Sequence, residues 1–89
     1  MKKVEFDFNQ LPDLSDFYRE FQARFGLGDN FGANLDALWD AVTGDIQLPV
    51  EIDFIHFTPQ KRMHFAALVL LFEEAEEDLE GKLRFNVIG

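Results

Sequence analysis

The sequence predicts a two-layer α/β domain: a three-stranded parallel sheet with helices packed on one face. Three short segments alternate apolar and polar residues, as half-buried strands do. The chain between consecutive segments is long enough for two helices, and helical crossovers of that length join parallel strands. Parallel strands covered on both faces are apolar throughout, so the alternation indicates that all helices lie on one face. We expect residues 1–89 to form a single domain with one core.

The first strand is predicted at residues 3–8 and the first helix at residues 14–25. Every second residue of the strand is apolar and faces the core: Val4, Phe6 and Phe8. In the helix the apolar side chains recur at three- and four-residue steps: Leu14, Phe17, Phe21 and Phe25. Gly26 readily adopts the left-handed conformation that commonly ends a helix.

The next predicted helix begins at Asn34, a favourable N-cap, and has Gly44 just past its C-terminus. Its apolar stripe consists of Leu35, Leu38, Trp39 and Val42. Asp36 and Asp40 are four residues apart, so both carboxylates stand on one face of the helix. A like-charge pair at this spacing costs a few tenths of a kcal/mol.

No nearby cation in the sequence neutralises this acidic pair. Lysine and arginine are absent between Arg24 and Lys61. Asp36 lies at the helix start, where the macrodipole favours a negative charge, but Asp40 lies too far along the helix to benefit. The pattern therefore predicts a carboxylate site that receives a cation from outside the chain.

The second strand is predicted after Pro49, and the third at residues 82–88. Their inward residues are Val50, Ile52 and Phe54 in the second strand, and Leu83, Phe85 and Val87 in the third. On the outer face, Lys82 and Arg84 could form ion pairs with acidic residues of the other two strands. These acidic residues are Glu5, Asp7, Glu51 and Asp53.

Two helical segments are predicted between these strands. Thr58 is a suitable N-cap and Pro59 a suitable first helical residue, so a short helical turn begins there. A long helix at residues 64–79 follows, terminated by Gly81. It is apolar nearly all round at its start, which places it centrally.

The long helix ends in acidic residues, at the terminus where the macrodipole disfavours them. They are Glu73, Glu74, Glu76, Glu77, Asp78 and Glu80. A solvated acidic face explains them as well as a functional face does. In the functional interpretation, part of this face adds to the negative field of Asp36 and Asp40.

Composition excludes several classes of function. The net charge of −9 argues against direct nucleic-acid binding, which needs clustered lysine and arginine, and favours a cationic partner. The absence of cysteine excludes disulfide and thiol chemistry. No secretory signal or membrane-length apolar run is present, so we expect a cytoplasmic protein without membrane association.

The stretch from Gly32 to Gly44 resembles the barstar family of ribonuclease inhibitors. The matching residues are Gly32, Asn34, Leu35, Asp36, Ala37, Leu38, Trp39, Asp40, Thr43 and Gly44. A weaker similarity continues in order and spacing over the whole chain. The resemblance implies the family fold and activity, in which a small acidic cytoplasmic protein blocks the active site of a basic ribonuclease.

The resemblance also implies roles for individual residues. Asp40 matches the family's central aspartate, whose carboxylate enters the phosphate site of the nuclease in place of substrate phosphate. In barstar that aspartate is an established interface hot spot, so the importance of Asp40 is implied by the resemblance. Asp36 matches an aspartate that pairs with a nuclease arginine, and Glu74 matches an acidic contact from the last helix. Family contact or framework positions are occupied by Gly32, Asn34, Trp39, Thr43 and Gly44.

The loop and the end of the motif depart from the family pattern. Asn30 stands where the best-known member has a tyrosine over the nuclease cleft, so Phe31 is the remaining aromatic contact of the loop. Asp45 replaces a tryptophan, and Gln47 replaces an acid. Contacts of this kind determine which partner fits. The alternative function is therefore a barstar-like binding module for a different basic protein that is not a nuclease.

An enzyme or metal site is the weaker alternative. Asp36, Asp40 and Glu74 could form a carboxylate cluster for Mg²⁺ or for acid–base chemistry. However, His56 and His64 lie outside the motif, and no Gly-rich phosphate loop or Ser/His/Asp set occurs. We therefore expect a protein that is not an enzyme, uses no metal or cofactor, is monomeric when free and binds its partner as a 1:1 heterodimer.

Overall fold

The computed structural model describes residues 1–89 and confirms the predicted fold class. Its strands are β1 (Lys2–Asp7), β2 (Val50–Ile55) and β3 (Leu83–Val87). Its helices are α1 (Leu14–Phe25), α2 (Leu35–Asp40), α3 (Pro59–His64) and α4 (Ala66–Asp78). The sheet is parallel in the order β1-β2-β3, so β2 is central and the helices lie in the two crossovers. No helix combines the length and the apolar character that a membrane span requires.

The core lies between the sheet and the helices and is mainly aromatic. Val4 pairs in register with Ile52, and Ile52 with Phe85, so the inward residues of neighbouring strands lie side by side. Phe54, fully buried on β2, is surrounded by rings from β1 and the residue after it, from β3, and from α1 and α4. The centroids of five of these rings lie 4.7–6.2 Å from its own, in tilted or edge-on arrangements that aromatic pairs favour.

The first helix has the predicted boundaries. Gly26 follows it with φ of 64°, in the left-handed region that glycine occupies without steric cost. At the other end, the Asp16 carboxylate accepts a hydrogen bond from the Asp13 backbone N–H, at 3.2 Å. Phe17 and Phe21 are buried as predicted, and Tyr18 is buried beside them.

The second predicted helix is shorter than expected and widens before it ends. After α2, Ala41–Asp45 form a π-helical turn in which the Ile46 N–H donates to the Ala41 carbonyl five residues back, at 3.0 Å. The prediction that Gly44 follows the helix end is therefore wrong, since Gly44 lies inside this turn. The wider turn keeps the side chains of Ala41, Val42 and Ile46 in the core.

The two predicted helical segments are separated at Phe65, so the long helix begins two residues later than predicted. Thr58 caps α3 by accepting a hydrogen bond from the Lys61 N–H, and Pro59 is the first helical residue, as predicted. Phe65 leaves helical geometry (φ −109°, ψ 27°) and its ring is buried. The helix α4 starts after Phe65 and ends at Asp78, before Gly81.

The outer face of the sheet is not fully exposed to solvent. The ion pairs predicted there for Lys82 and Arg84 are wrong. Lys82 and Arg84 form no ion pair, and Asp53 is only 1% exposed. Because β2 is the central strand, side chains of both neighbouring strands cover Asp53. Lys3 reaches it from β1 at 3.3 Å, and the Asn86 amide donates to it from β3 at 2.9 Å. The hydrogen bond and the negative charge of Asp53 raise the pKa of Lys3.

A second set of polar contacts connects the end of β1 and the residues after it with the residues that follow β2. His56 Nδ1 lies 2.8 Å from an oxygen of the Asp7 carboxylate, which also accepts the Asn9 backbone N–H. The His56 hydrogen bond is the main reason that the pKa of Asp7 lies below its ordinary value. Lys61 Nζ donates to the Phe8 carbonyl beside this pair. These contacts hold the start of the β1–α1 connection against the β2–α3 connection.

Replacing Asp53 with alanine should lower the free energy of unfolding by about 1–3 kcal/mol, because hydrogen bonds to a buried charged group are lost. Urea unfolding followed by Trp39 fluorescence measures this change. Glu5→Ala is the matched control, since it removes an exposed carboxylate from the same face of the neighbouring strand. It should cost less than about 1 kcal/mol, and equal losses would contradict the role assigned to Asp53.

The Asp7–His56 pair should make stability decline in acid. Because the folded pKa of Asp7 is depressed, the pair stabilises the fold above the unfolded pKa of about 4, and this contribution is lost as the pH falls through the folded pKa. His56→Gly, which suits the φ of 54° at this position, should raise the pKa of Asp7 and weaken this pH dependence. NMR titration of the Asp7 carboxyl carbon measures the change, with His64→Gln as control. An unchanged pKa in His56→Gly would contradict the assignment.

Candidate functional site

The start of α2 is closely tied to the residues before it. The Asn34 side chain accepts the Ala37 N–H at 2.8 Å, which confirms the predicted N-cap. Its amide also donates to the Gly32 carbonyl at 3.2 Å. A Cβ at position 32 would lie 3.2 Å from both the Ala37 Cβ and the Asn34 amide, so glycine permits this close approach. The adjacent Ala33 has φ of 49°, an unusual conformation for alanine that this packing maintains.

The loop before α2, residues 26–32, is held against α1. Phe31 is partly buried, with its ring centroid 6.0 Å from that of Phe21 and 6.3 Å from that of Tyr18. The Gln22 amide donates to the Gly28 carbonyl at 2.9 Å, and the Leu27 N–H donates to the Gln22 carbonyl at 3.0 Å. The loop therefore has a defined conformation although most of its residues are exposed.

An open cleft of about 430 Å³ separates this loop from α2. Four predicted site residues line it: Asn30, Phe31, Gly32 and Asp40. Leu27 and Ala37 give it apolar surface, and Asp45 places a second acidic residue on its lining. The sequence marked Asp45 only as a departure from the family pattern, and its position beside Asp40 depends on the π-helical turn between them.

The two aspartates of α2 have no partner within the chain. Asp36 and Asp40 are both exposed, and neither forms a hydrogen bond through its side chain or an ion pair within 4 Å. The opposite side of the helix is fixed, since Leu38 and Val42 are fully buried. A rigid helix thus presents two free carboxylates to solvent, of which Asp40 borders the cleft and Asp36 does not.

Among the remaining motif residues, Trp39 and Thr43 support the C-terminal end of α2. Trp39 is half-buried and packs against the core, while Leu35 is 38% exposed and contributes less to the apolar stripe than predicted. The Thr43 hydroxyl donates to the Trp39 carbonyl at 2.7 Å, which satisfies a backbone group at the π-helical turn. Gly44 is exposed in that turn. Whether these side chains also contact a partner stays a prediction.

The acidic end of α4 includes one residue with a structural contact. Glu74 is exposed on α4, which packs against α2, but it does not line the cleft. Glu76 is partly buried and accepts the Phe85 backbone N–H of β3 at 3.0 Å. One of the six acidic residues therefore has a structural role that periodicity did not indicate. The chain contains no group of three or more acidic or histidine side chains placed to hold a metal ion.

Comparison with known proteins gives one family. The chain matches the profile of the family described as Barstar (barnase inhibitor) over residues 1–88. It is also 28% identical over 90 residues to the Bacillus subtilis (strain 168) protein named "Putative ribonuclease inhibitor YrdF". That alignment covers 98% of this chain and 99% of the relative. The similarity therefore includes the loop, α2 and the acidic helix α4.

Replacing Asn34 with alanine should lower the free energy of unfolding by about 1 kcal/mol, because the Ala37 N–H loses its acceptor at the helix start. Asn34→Ser keeps a side-chain oxygen in this position and should retain most of the stability. Urea unfolding of the two variants and the wild-type protein tests this. The capping role would be refuted if serine and alanine destabilised the protein equally.

Proposed function

Because the chain belongs to the barstar (barnase inhibitor) family, we propose that it inhibits a basic ribonuclease by covering the enzyme's active site. The observation that carries the proposal is the pair of unpartnered carboxylates, Asp36 and Asp40. They stand on the exposed side of a capped helix whose other side is buried, beside an open cleft. The protein performs no chemistry in this role. It would protect the cytoplasm of a cell that makes the enzyme for export.

In the proposed complex, Asp40 stands in for a phosphate of the RNA substrate. A ribonuclease active site holds cationic side chains arranged for phosphate, and a carboxylate accepts charge-assisted hydrogen bonds from the same donors. The backbone and apolar side of α2 are already ordered, so Asp40 loses little conformational entropy on binding. Asp36, one turn earlier, would pair with a second cation of the enzyme.

The proposed contact surface combines the loop, α2 and part of α4. Its members are Asn30, Phe31, Gly32, Asn34, Asp36, Trp39, Asp40, Thr43, Gly44 and Glu74. The net charge of −9 would steer a basic enzyme toward this surface and accelerate association, an effect that salt should weaken. Loop rigidity supports the proposal, because Phe31 and the Gln22–Gly28 hydrogen bond hold the cleft open before a partner arrives.

Asp45 gives support to a second candidate, a binding module for a basic protein that is not a nuclease. It adds a carboxylate to the lining of the cleft, where the resemblance leads us to expect a tryptophan. A cleft with Asp40 and Asp45 on its lining favours a partner that presents a longer or more strongly cationic side chain at this point.

The test compares inhibition of barnase by wild-type protein, Asp40→Ala and Glu5→Ala in an RNA-cleavage assay. Asp40→Ala should weaken inhibition about 30-fold or more, since loss of a central charged contact costs about 2 kcal/mol or more. Glu5→Ala removes the same charge from the outer face of the sheet and should change inhibition little. Inhibition that both variants weaken equally would mean that overall charge, not the site, is responsible.

If the wild-type protein does not inhibit barnase, the same three proteins serve as baits in an affinity-capture experiment. Recovery of a basic ribonuclease by wild type and Glu5→Ala, but not by Asp40→Ala, would retain the inhibitor function with a different enzyme. Recovery of a basic protein without nuclease activity in that same pattern would favour the second candidate. Identical recovery by all three baits would remove Asp40 from the site.

A further inference from the structure

The cleft beside α2 carries two negative charges and no positive charge. Asp40 and Asp45 are the only charged residues on its lining, and both are exposed. Neither forms an ion pair within 4 Å. Arg24, the basic residue that precedes the loop, is engaged elsewhere, since its guanidinium donates to the Glu5 carbonyl of β1 and lies 3.7 Å from the Glu20 carboxylate. The charge of the cleft is therefore free to meet a cation of a partner.

The π-helical turn brings the two carboxylates to one cleft. In a regular α-helix, residues five positions apart point in directions that differ by about 140°. The turn at Ala41–Asp45 is wider by about one residue, so residues five apart come nearly into line. Asp45 therefore lines the same cleft as Asp40. Single π-helical turns inside helices occur frequently at functional sites.

The rest of the lining suits the stem of a long side chain. Leu27, Phe31 and Ala37 are half-buried and give the cleft apolar surface. Methylene groups can pack on such a surface while the charged end of the side chain reaches the carboxylates. Two carboxylates provide too few oxygen ligands for Mg²⁺ or Ca²⁺, and the chain has no further acidic or histidine side chain placed to complete a metal site.

The pair of carboxylates distinguishes between the two long cationic side chains. A guanidinium is planar and presents several N–H donors in a fixed fork, so it can donate to two carboxylates at once and stack on an aromatic ring. An ammonium is a compact, strongly hydrated point charge. Two acids beside the ring of Phe31 therefore favour arginine over lysine.

We infer that Asp45 is a specificity-determining residue, which together with Asp40 makes the cleft a site for an arginine side chain of the partner. The guanidinium donates charge-assisted hydrogen bonds to both carboxylates, and the methylene groups pack on the apolar lining. The inference rests on the proposed function, because it takes the cleft as part of the surface that meets a basic partner. It adds the side chain that this partner must supply: an arginine that reaches Asp45 as well as Asp40.

Asp45 also disfavours other partners. A ribonuclease with an apolar or acidic side chain opposite Asp45 would remove water from this carboxylate without replacing the lost hydrogen bonds. Specificity arises from such unfavourable contacts as well as from favourable ones. Asp45 thus restricts the partners to those with an arginine at this point.

An NMR titration without any ribonuclease tests the arginine site. Three probes are added to isotope-labelled protein at constant ionic strength: the N-acetyl methylamides of arginine, lysine and citrulline. Citrulline has nearly the shape of arginine but no charge. The arginine probe should shift the backbone amides of cleft residues saturably, with a dissociation constant in the millimolar range. The lysine probe should bind about threefold more weakly or worse, and the citrulline probe should cause no saturable shift.

Two variants separate the cleft from overall charge. Asp45→Asn should raise the dissociation constant of the arginine probe about threefold to fivefold, because one exposed ion pair is lost. Asp29→Asn is the matched control, since it removes the same charge from the 26–32 loop at a residue that does not line the cleft. It should leave the dissociation constant within about 1.5-fold of the wild type, because a charge outside the contact is largely screened. The amide spectrum of each variant shows whether it is folded.

Three results would each overturn the inference: no saturable shift with the arginine probe, equal binding of the arginine and lysine probes, or equal effects of Asp45→Asn and Asp29→Asn. Inhibition of barnase is measured separately, so the two proposals can fail separately. Arginine binding that depends on Asp45, without inhibition of a ribonuclease, would support the site and remove the nuclease. Inhibition that depends on Asp40, without arginine binding, would retain the inhibitor and remove the role of Asp45.

Discussion

The candidate site depends on the burial of one side of α2. Leu38 and Val42 are fully buried, and Ala41 and Ile46 pack around them through the π-helical turn. With 3.6 residues per turn, burying these positions turns Asp36 and Asp40 outward and fixes the direction of both carboxylates. The helix has only six α-helical residues, too few to be stable alone, so its order comes from this packing. The aromatic core around Phe54 therefore supports the site as well as the fold.

The charges of the short helix α2 oppose its stability, whereas its cap and packing support it. Two aspartates four residues apart repel each other, and the chain provides no cation for either. Other features offset this cost locally: the Asn34 cap, the Thr43 hydrogen bond and the close contact at Gly32. A local electrostatic defect that is supported by good capping and packing is typical of a surface kept for a binding partner.

Elsewhere the protein uses its charged side chains to complete the sheet. A three-stranded sheet has two free edges, and each receives one side-chain hydrogen bond. Arg24 donates to the Glu5 carbonyl on β1, and Glu76 accepts the Phe85 N–H on β3. In the middle, Asp53 is covered by Lys3 and Asn86. Edge groups satisfied in this way are less available for unwanted strand pairing. Some acidic residues thus hold structural positions, whereas the two aspartates of α2 form no contact of this kind.

The sequence alone determined the order and type of the elements. Strict alternation identified β1, β2 and β3, and helical spacing with Gly26 as the stop gave α1 its observed limits. The Asn34 cap and the shared face of Asp36 and Asp40 also followed from local spacing, because capping and helical periodicity act over a few residues. The family followed from the residues of the Gly32–Gly44 motif.

Tertiary packing decided the features that depend on distant residues. The predicted helix does not end before Gly44 but widens into a π-helical turn at residues 41–45. The buried side chains of this turn pack into a core that other elements build. Asp53 occupies an outward-facing position in the alternating pattern of β2, yet the side chains of both neighbouring strands bury it. Asp45 joins Asp40 on the lining of the cleft only because the turn and the 26–32 loop meet there. Local spacing predicts which way a side chain points, but what covers or faces it is set by segments far away in the sequence.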